Sequence, residues 1–315
     1  MTVLARLEQW QRTGAISAAQ HDAIAAIVRK DRFSVFLELN ALLYLGVLSF
    51  AGGVAWTVAS YSERVGDAAI VSALSCACIA AFSYCFARAH PYANRPIEHE
   101  GIAFDYVLYL GCLLLATDIG YIQSRLHPFQ LQWDHSLLLA SSVFFALAYR
   151  FDNRFVLSLA LSSLAGWFGV RLGGFSLLSA GALRAYALAY GVLVAGAGTG
   201  LHRAGVKPHF LETYLHVAVN VLFLALLSGV GAPGTAGTWY LLAVLGLSAV
   251  AIVQGVRFTR FAFVVYGVLY GYAGLSGRLL REVRSFSAGL AYFVVSGILV
   301  VVALVGLARR FGRDA

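Results

Sequence analysis

The block AYALAYGVLVAGAGTGLHR, residues 185–203, returns 106 positions later as AYFVVSGILVVVALVGLAR, residues 291–309. Each copy is an apolar run long enough to cross about 30 Å of hydrocarbon, and each ends on arginine. Tyr186, Gly191, Gly200 and Arg203 of the first copy fall on Tyr292, Gly297, Gly306 and Arg309 of the second. The same offset sets Trp133 on Trp239 and Arg154-Phe155 on Arg260-Phe261; one gap brings Arg150-Phe151 onto Arg257-Phe258 and Arg171 onto Arg278. Alanine, leucine, valine and glycine coincide by chance in any apolar chain, whereas tryptophan and Arg-Phe at a shared offset point to duplication.

The composition agrees with a chain made for lipid. Of 315 residues, 60% are apolar and 12% charged, with 32 glycines and five prolines. These values lie outside the range of soluble domains. The net charge of +8 is spread singly and in pairs between apolar runs, which excludes a nucleic-acid face and fits positive-inside topology. Runs of membrane-crossing length place ten spans near 37–59, 67–87, 102–122, 135–150, 155–170, 182–200, 211–230, 239–256, 261–277 and 287–308. With the N-terminus inside, only Arg64, Arg125, Arg171, Arg184, Arg278, Arg281 and Arg284 of the 23 basic residues fall outside, so the C-terminus is inside as well.

The expected fold is therefore all-α: a polytopic transmembrane helix bundle of about ten spans, N-in and C-in. Spans three to six (residues 101–205) and seven to ten (206–315) form two four-helix repeats. An even number of spans separates them, so both share one orientation. Spans one and two (36–100) stand outside the repeats. In repeat transporters of this arrangement, ligands bind between the copies. Arginine outnumbers lysine heavily, Lys30 and Lys207 being the two lysines, which suggests the cytoplasmic (inner) membrane of a bacterium.

Residues 1–35 are polar and helical, without a signal-peptide core, and read as a cytoplasmic amphipathic hairpin. Leu4, Leu7 and Trp10 recur at helical spacing, Gly14 stops the first helix, and Ser17-x-x-Gln20 is a capping box opening a second. The hairpin docks on the lipid bilayer or the cytoplasmic loops, or holds a cytoplasmic protein partner. Trp10, Gly14, Ile16 and Ser17, with GVLSFAGGVAW at 46–56, resemble a family of bacterial predicted membrane proteins of unknown function that open with this short hairpin. The resemblance covers roughly the first half and implies class and location only. Members often carry Asn-Trp after the first span, whereas Thr57 follows Trp56 here.

Two carboxylates sit inside span three. Asp105 and Asp118 are separated by about 20 Å of helical rise and cannot pair; each stands near an end of the span, within reach of an interface. In span seven, Glu212, His216 and Asn220 form one polar stripe at i, i+4 and i+8. A shift of 107 sets Asp105 opposite Glu212 and Tyr109 opposite His216. Asp105, Tyr109, Glu212, His216 and Asn220 are accordingly the candidate transport or polar-relay residues. They form either a proton or cation relay for an unknown small ligand or ion, or a structural polar knot between spans three and seven. The competing function is a non-catalytic membrane scaffold or sensor.

Cys76, Cys78, Cys85 and Cys112 all lie in apolar runs and read as small hydrophobes. His90, Glu98, His99 and Glu100 share one loop without the fixed shell that a metal requires. The chain has no nucleotide loop, paired-histidine zinc motif or nucleophile elbow, so neither an enzyme nor a cofactor is expected. Arg278, Arg281 and Arg284 break the positive-inside tendency. Their spacing of three suggests a short interfacial helix over 278–284 whose basic face meets lipid phosphate or an anionic ligand.

Overall fold

A computed structural model describes residues 3–18, 20–21, short stretches between 45 and 57, and residues 66–96, 102–125, 133–177, 180–282 and 285–314. Most of span one, the acidic end of the 90–101 loop and Arg284 lie outside the described residues. Two compact units divide the chain, Met1–Gly66 and Asp67–Ala315.

In the first unit, α1 (Val3–Arg12) ends as expected at Gly14, whose φ is +73°. Ala15 N–H reaches back to the Trp10 carbonyl at 2.9 Å and Gly14 N–H to that of Gln11 at 3.1 Å. This closure needs a left-handed residue and glycine supplies it without a Cβ penalty. The capping box forms in both directions: Ser17 N–H donates to Gln20 Oε1 at 2.9 Å, and Gln20 N–H donates to Ser17 Oγ at 3.2 Å. Leu7 is buried, whereas Trp10 is half exposed.

The regular elements of the second unit are α-helices, apart from one 3-10 turn at Pro208–Phe210. In order come α2 (Asp67–Ala87), α3 (Ile102–Arg125), α4 (Trp133–Phe151), α5 (Arg154–Leu177), α6 (Ala180–Arg203), α7 (Leu211–Gly229), α8 (Thr235–Arg257), α9 (Phe261–Glu282) and α10 (Phe286–Asp314). Among the described residues, seven helices are long and apolar enough to cross a membrane; α4 and α5 supply the shorter apolar stretches His135–Phe151 and Arg154–Gly169.

Hairpins are the packing unit: α2 lies closest to α3, α4 to α5, α6 to α7 and α8 to α9. The odd-numbered helices also touch in succession, α5 against both α3 and α7, and α7 against α9. Glycine permits the closest approaches. A Cβ at Gly198 of α6 would lie 2.5 Å from Tyr214 Cβ on α7, and one at Gly267 of α9 would lie 2.7 Å from the Ser248 carbonyl oxygen on α8. Between α7 and α8, Phe223, Val230, Val244 and Ala251 make a buried core, and Phe223 stacks on Tyr270 of α9 at 4.5 Å. At the other end of the series, α10 touches α9 through Tyr272 to Ser296 (2.9 Å) and Ser276 to Tyr292 (3.0 Å), and its apolar stretch Ser287–Ala308 is largely uncovered.

Two expectations are corrected. Residues 278–282 are the final turn of α9 and not a separate interfacial helix, because the chain stays helical from Phe261 to Glu282. Asp118 does not reach an interface: it is 6% exposed and accepts a 2.7 Å hydrogen bond from Ser75 of α2.

Candidate functional site

The α4–α5 and α8–α9 connections have the same construction. Asp152 has φ +55° and Thr259 φ +54°, and in each turn the next residue's N–H closes back five residues: Asn153 to Ala148 O at 3.1 Å and Arg260 to Gly255 O at 2.8 Å. Every member of one turn lies 107 positions from its counterpart. Asp and Asn tolerate the left-handed region and favour helix caps, which is why this turn forms locally. Asn153 caps α5, its Oδ1 accepting from Phe155 N–H at 3.0 Å and Val156 N–H at 3.1 Å.

The cap's other half faces α3. Asn153 Nδ2 donates to Asp105 Oδ1 at 3.0 Å and to the Tyr109 hydroxyl oxygen at 3.1 Å, and Tyr109 lies against the Phe155 ring at 4.5 Å. The next residue faces α7: Arg154 Nη1 stands 3.5 Å from Glu212 Oε2. The cap and the first residue of α5 thus serve these two acids, one each. Asp105 and Tyr109 are brought together around Asn153, and Glu212, His216 and Asn220 around Arg154 and α9.

On α7 the polar stripe is a row along one face rather than an unbroken hydrogen-bond chain, since Glu212 and His216 stand beyond hydrogen-bond distance and Asn220 bonds the main chain of His216. Glu212 Oε1 is 4.0 Å from His216 Nε2, Asn220 Nδ2 donates to the His216 carbonyl at 2.7 Å, and Tyr270 donates to Asn220 Oδ1 at 2.7 Å. The His216 ring stacks on Phe263 at 4.8 Å, and its buried Nδ1 has no hydrogen-bond partner among the described residues. From Glu212 to Asn220 the line descends about 12 Å along the helix. It ends where Tyr270 meets Phe223, at the apolar core.

A second cluster was not anticipated from sequence. Asp152 Oδ1 accepts from Lys207 Nζ at 2.7 Å and from His209 Nε2 at 2.6 Å, with the Lys207 and Asp152 side chains 0% and 2% exposed. Lys207 itself has φ +45°, and its ammonium lies 4.9 Å above the Tyr92 ring. Beside it, the Tyr149 and Tyr214 hydroxyls meet at 3.0 Å. The available signals were Lys207, one of two lysines in an arginine-rich chain, and Asp152-Asn153 at a helix junction.

Arg281 is placed with its guanidinium against Gly231, in the α7–α8 connection. Arg184 joins it at that end of α7, donating from Nε to Ser228 Oγ at 3.0 Å and from Nη2 to the Ser228 carbonyl at 3.1 Å. Cations at a helix C-terminus stabilise its exposed carbonyls. That gives these two arginines a reason to lie opposite the main basic end. Arg278 lies one turn earlier on α9, and Arg284 is outside the described residues.

Among the described residues no three His, Cys, Asp or Glu side chains gather as metal ligands. Residues 8–157, just under half of the chain, match the family described as predicted membrane protein (DUF2157). No curated protein and no solved structure matches the chain.

Proposed function

We propose that this membrane protein moves or couples a small ion across the bacterial cytoplasmic membrane and acts without enzymatic chemistry. In this reading it has about ten spans with both termini inside. Two four-helix copies of one orientation, α3–α6 and α7–α10, meet where α5 and α6 pack on α7. The packings support the division, since α3 with α4, α4 with α5, α5 with α6 and α3 with α5 each have a counterpart four helices later. The matched turns at Asp152 and Thr259 support it too.

One observation carries the reading: the line from Arg154 through Glu212, His216 and Asn220 to Tyr270 leads from a helix end toward mid-membrane across the junction of the copies. Ionisable groups inside a membrane bundle are costly and usually functional. Glu212 is the entry carboxylate, His216 the next group able to take a proton, and Asn220 with Tyr270 the polar gate beneath them. The arm formed by Asp105, Tyr109 and Asn153 lies on the far side of the α5 terminus and feeds the same end.

Purified protein in liposomes loaded with a pH-sensitive dye tests this under proton, sodium and potassium gradients. Wild type is expected to carry flux, with Glu212→Gln reducing it to background and Asn220→Ala reducing it in part. No wild-type flux under any of the three gradients, or full flux by Glu212→Gln, overturns the proposal.

A further inference from the structure

A cleft of about 510 Å³ opens between α7 and α8, beside the polar line: Phe263, whose ring stacks on that of His216, forms part of its wall. Its walls are Leu215 and Val219 of α7 with Leu247 and Val250 of α8; its polar linings are His202, Gln254 and Arg260. The division is longitudinal. Leu211, Leu215 and Val219 follow one another at i, i+4 and i+8 on α7, so the apolar walls run along the helices. His202 ends α6 and Arg260 precedes α9, so the basic groups stand at the mouth.

The charge at that mouth is uncompensated. Arg260 is partly buried, and among the described residues its guanidinium pairs with no carboxylate, nor do those of Arg203 and Arg257. Glu212, on the adjoining face of α7, is already engaged by Arg154 and His216. His202 donates from Nδ1 to the Pro208 carbonyl at 3.0 Å, which fixes its ring at the mouth; in that neutral tautomer Nε2 is an acceptor, so Arg260 is the donor available to an anion. A guanidinium at the edge of hydrocarbon is costly without an anion and binds phosphate through two parallel N–H donors.

We infer that this cleft is a binding site for an anionic phospholipid, one acyl chain lying between α7 and α8 and the phosphate held by Arg260 beside His202. A zwitterionic or neutral lipid fills the groove but brings an added positive charge, or no charge, to a mouth already basic. A soluble anion satisfies Arg260 but leaves the apolar walls uncovered. Basic pockets between spans commonly take acidic headgroups in this way. The inference is independent of ion movement through the Glu212 line.

The test is lipid retention by the full-length protein, purified from mixed vesicles of phosphatidylglycerol and phosphatidylcholine and measured by native mass spectrometry. Wild type is expected to retain phosphatidylglycerol preferentially. Arg260→Gln should weaken that retention about tenfold while leaving phosphatidylcholine unchanged. Val250→Trp, at a position 56% exposed and so tolerant of bulk, should fill the cleft and lower phosphatidylglycerol retention with Arg260 intact. Equal retention of the two lipids by wild type overturns the inference, as does unchanged preference in both variants. Competition by inorganic phosphate at millimolar concentration also overturns it, by showing a soluble-anion site.

Discussion

Lys207 is a lysine held in a left-handed conformation, out of water, over an aromatic ring. Neither condition suits lysine; the Asp152 carboxylate offsets the burial of its charge. Asp152 is strained in the same sense but belongs to the residue types that accept it. Breaking a buried ion pair from one side leaves an unpaired charge, which costs about 3–5 kcal/mol. Asp152→Asn keeps the backbone preference and removes only the charge, so it should lower stability by about that amount; Lys207→Met, which leaves Asp152 its His209 contact, should lower it by less. Thermal unfolding in detergent measures both, and the Asp152→Asn/Lys207→Met double variant should lose clearly less than the sum of the singles. Full additivity would show that the two groups act separately.

Helices in this protein associate where a glycine meets a large side chain. In lipid there is little hydrophobic drive between spans, so close backbone approach and good packing decide which pairs form. Gly198 and Gly200 lie two residues apart on α6 and differ in this respect, Gly198 facing Tyr214 while a Cβ at Gly200 would have nothing within 4 Å. Gly198→Leu should therefore separate α6 from α7 and cost about 1–3 kcal/mol. Gly200→Ala should be neutral or stabilising by up to about 1 kcal/mol through helix propensity. Thermal scans of the two variants against wild type check this. Equal losses would mean that the approach of α6 to α7 is not what Gly198 serves.

In the proposed ten-span arrangement, alternation of spans would put the α4–α5, α6–α7 and α8–α9 connections on one side of the membrane. Arg150, Arg154, Arg203, Lys207, Arg257 and Arg260 belong to those connections and the helix ends beside them, and under the positive-inside tendency the proposed topology makes that side cytoplasmic. The arginines left opposite have local employment, Arg184 on the Ser228 carbonyl and Arg281 against Gly231. In a cysteine-free background, a cysteine replacing exposed Ala204 should react with an impermeant maleimide only after the membrane is opened. One replacing exposed Ser285 should react in intact cells. The reverse pattern, or labelling of both alike, would overturn the proposed topology.

Local features were legible from sequence. Gly14 and the Ser17-Gln20 box each depend on a few neighbouring residues, and the structure reproduces both. The membrane class followed from composition, because lipid admits so few backbone solutions, and the polar stripe followed from helical period, which places Glu212, His216 and Asn220 on one face without any knowledge of neighbours. Which groups meet that stripe was a tertiary matter. Asn153 to Asp105, Arg154 to Glu212 and Tyr270 to Asn220 join residues 48 to 58 positions apart. The Asp152 cluster was hidden for the same reason: its lysine and histidine lie 55 and 57 residues away and look like loop charges until the α6–α7 connection folds over the α4–α5 turn. Periodicity assigns a residue to a face, but only the packing of hairpins decides what that face meets.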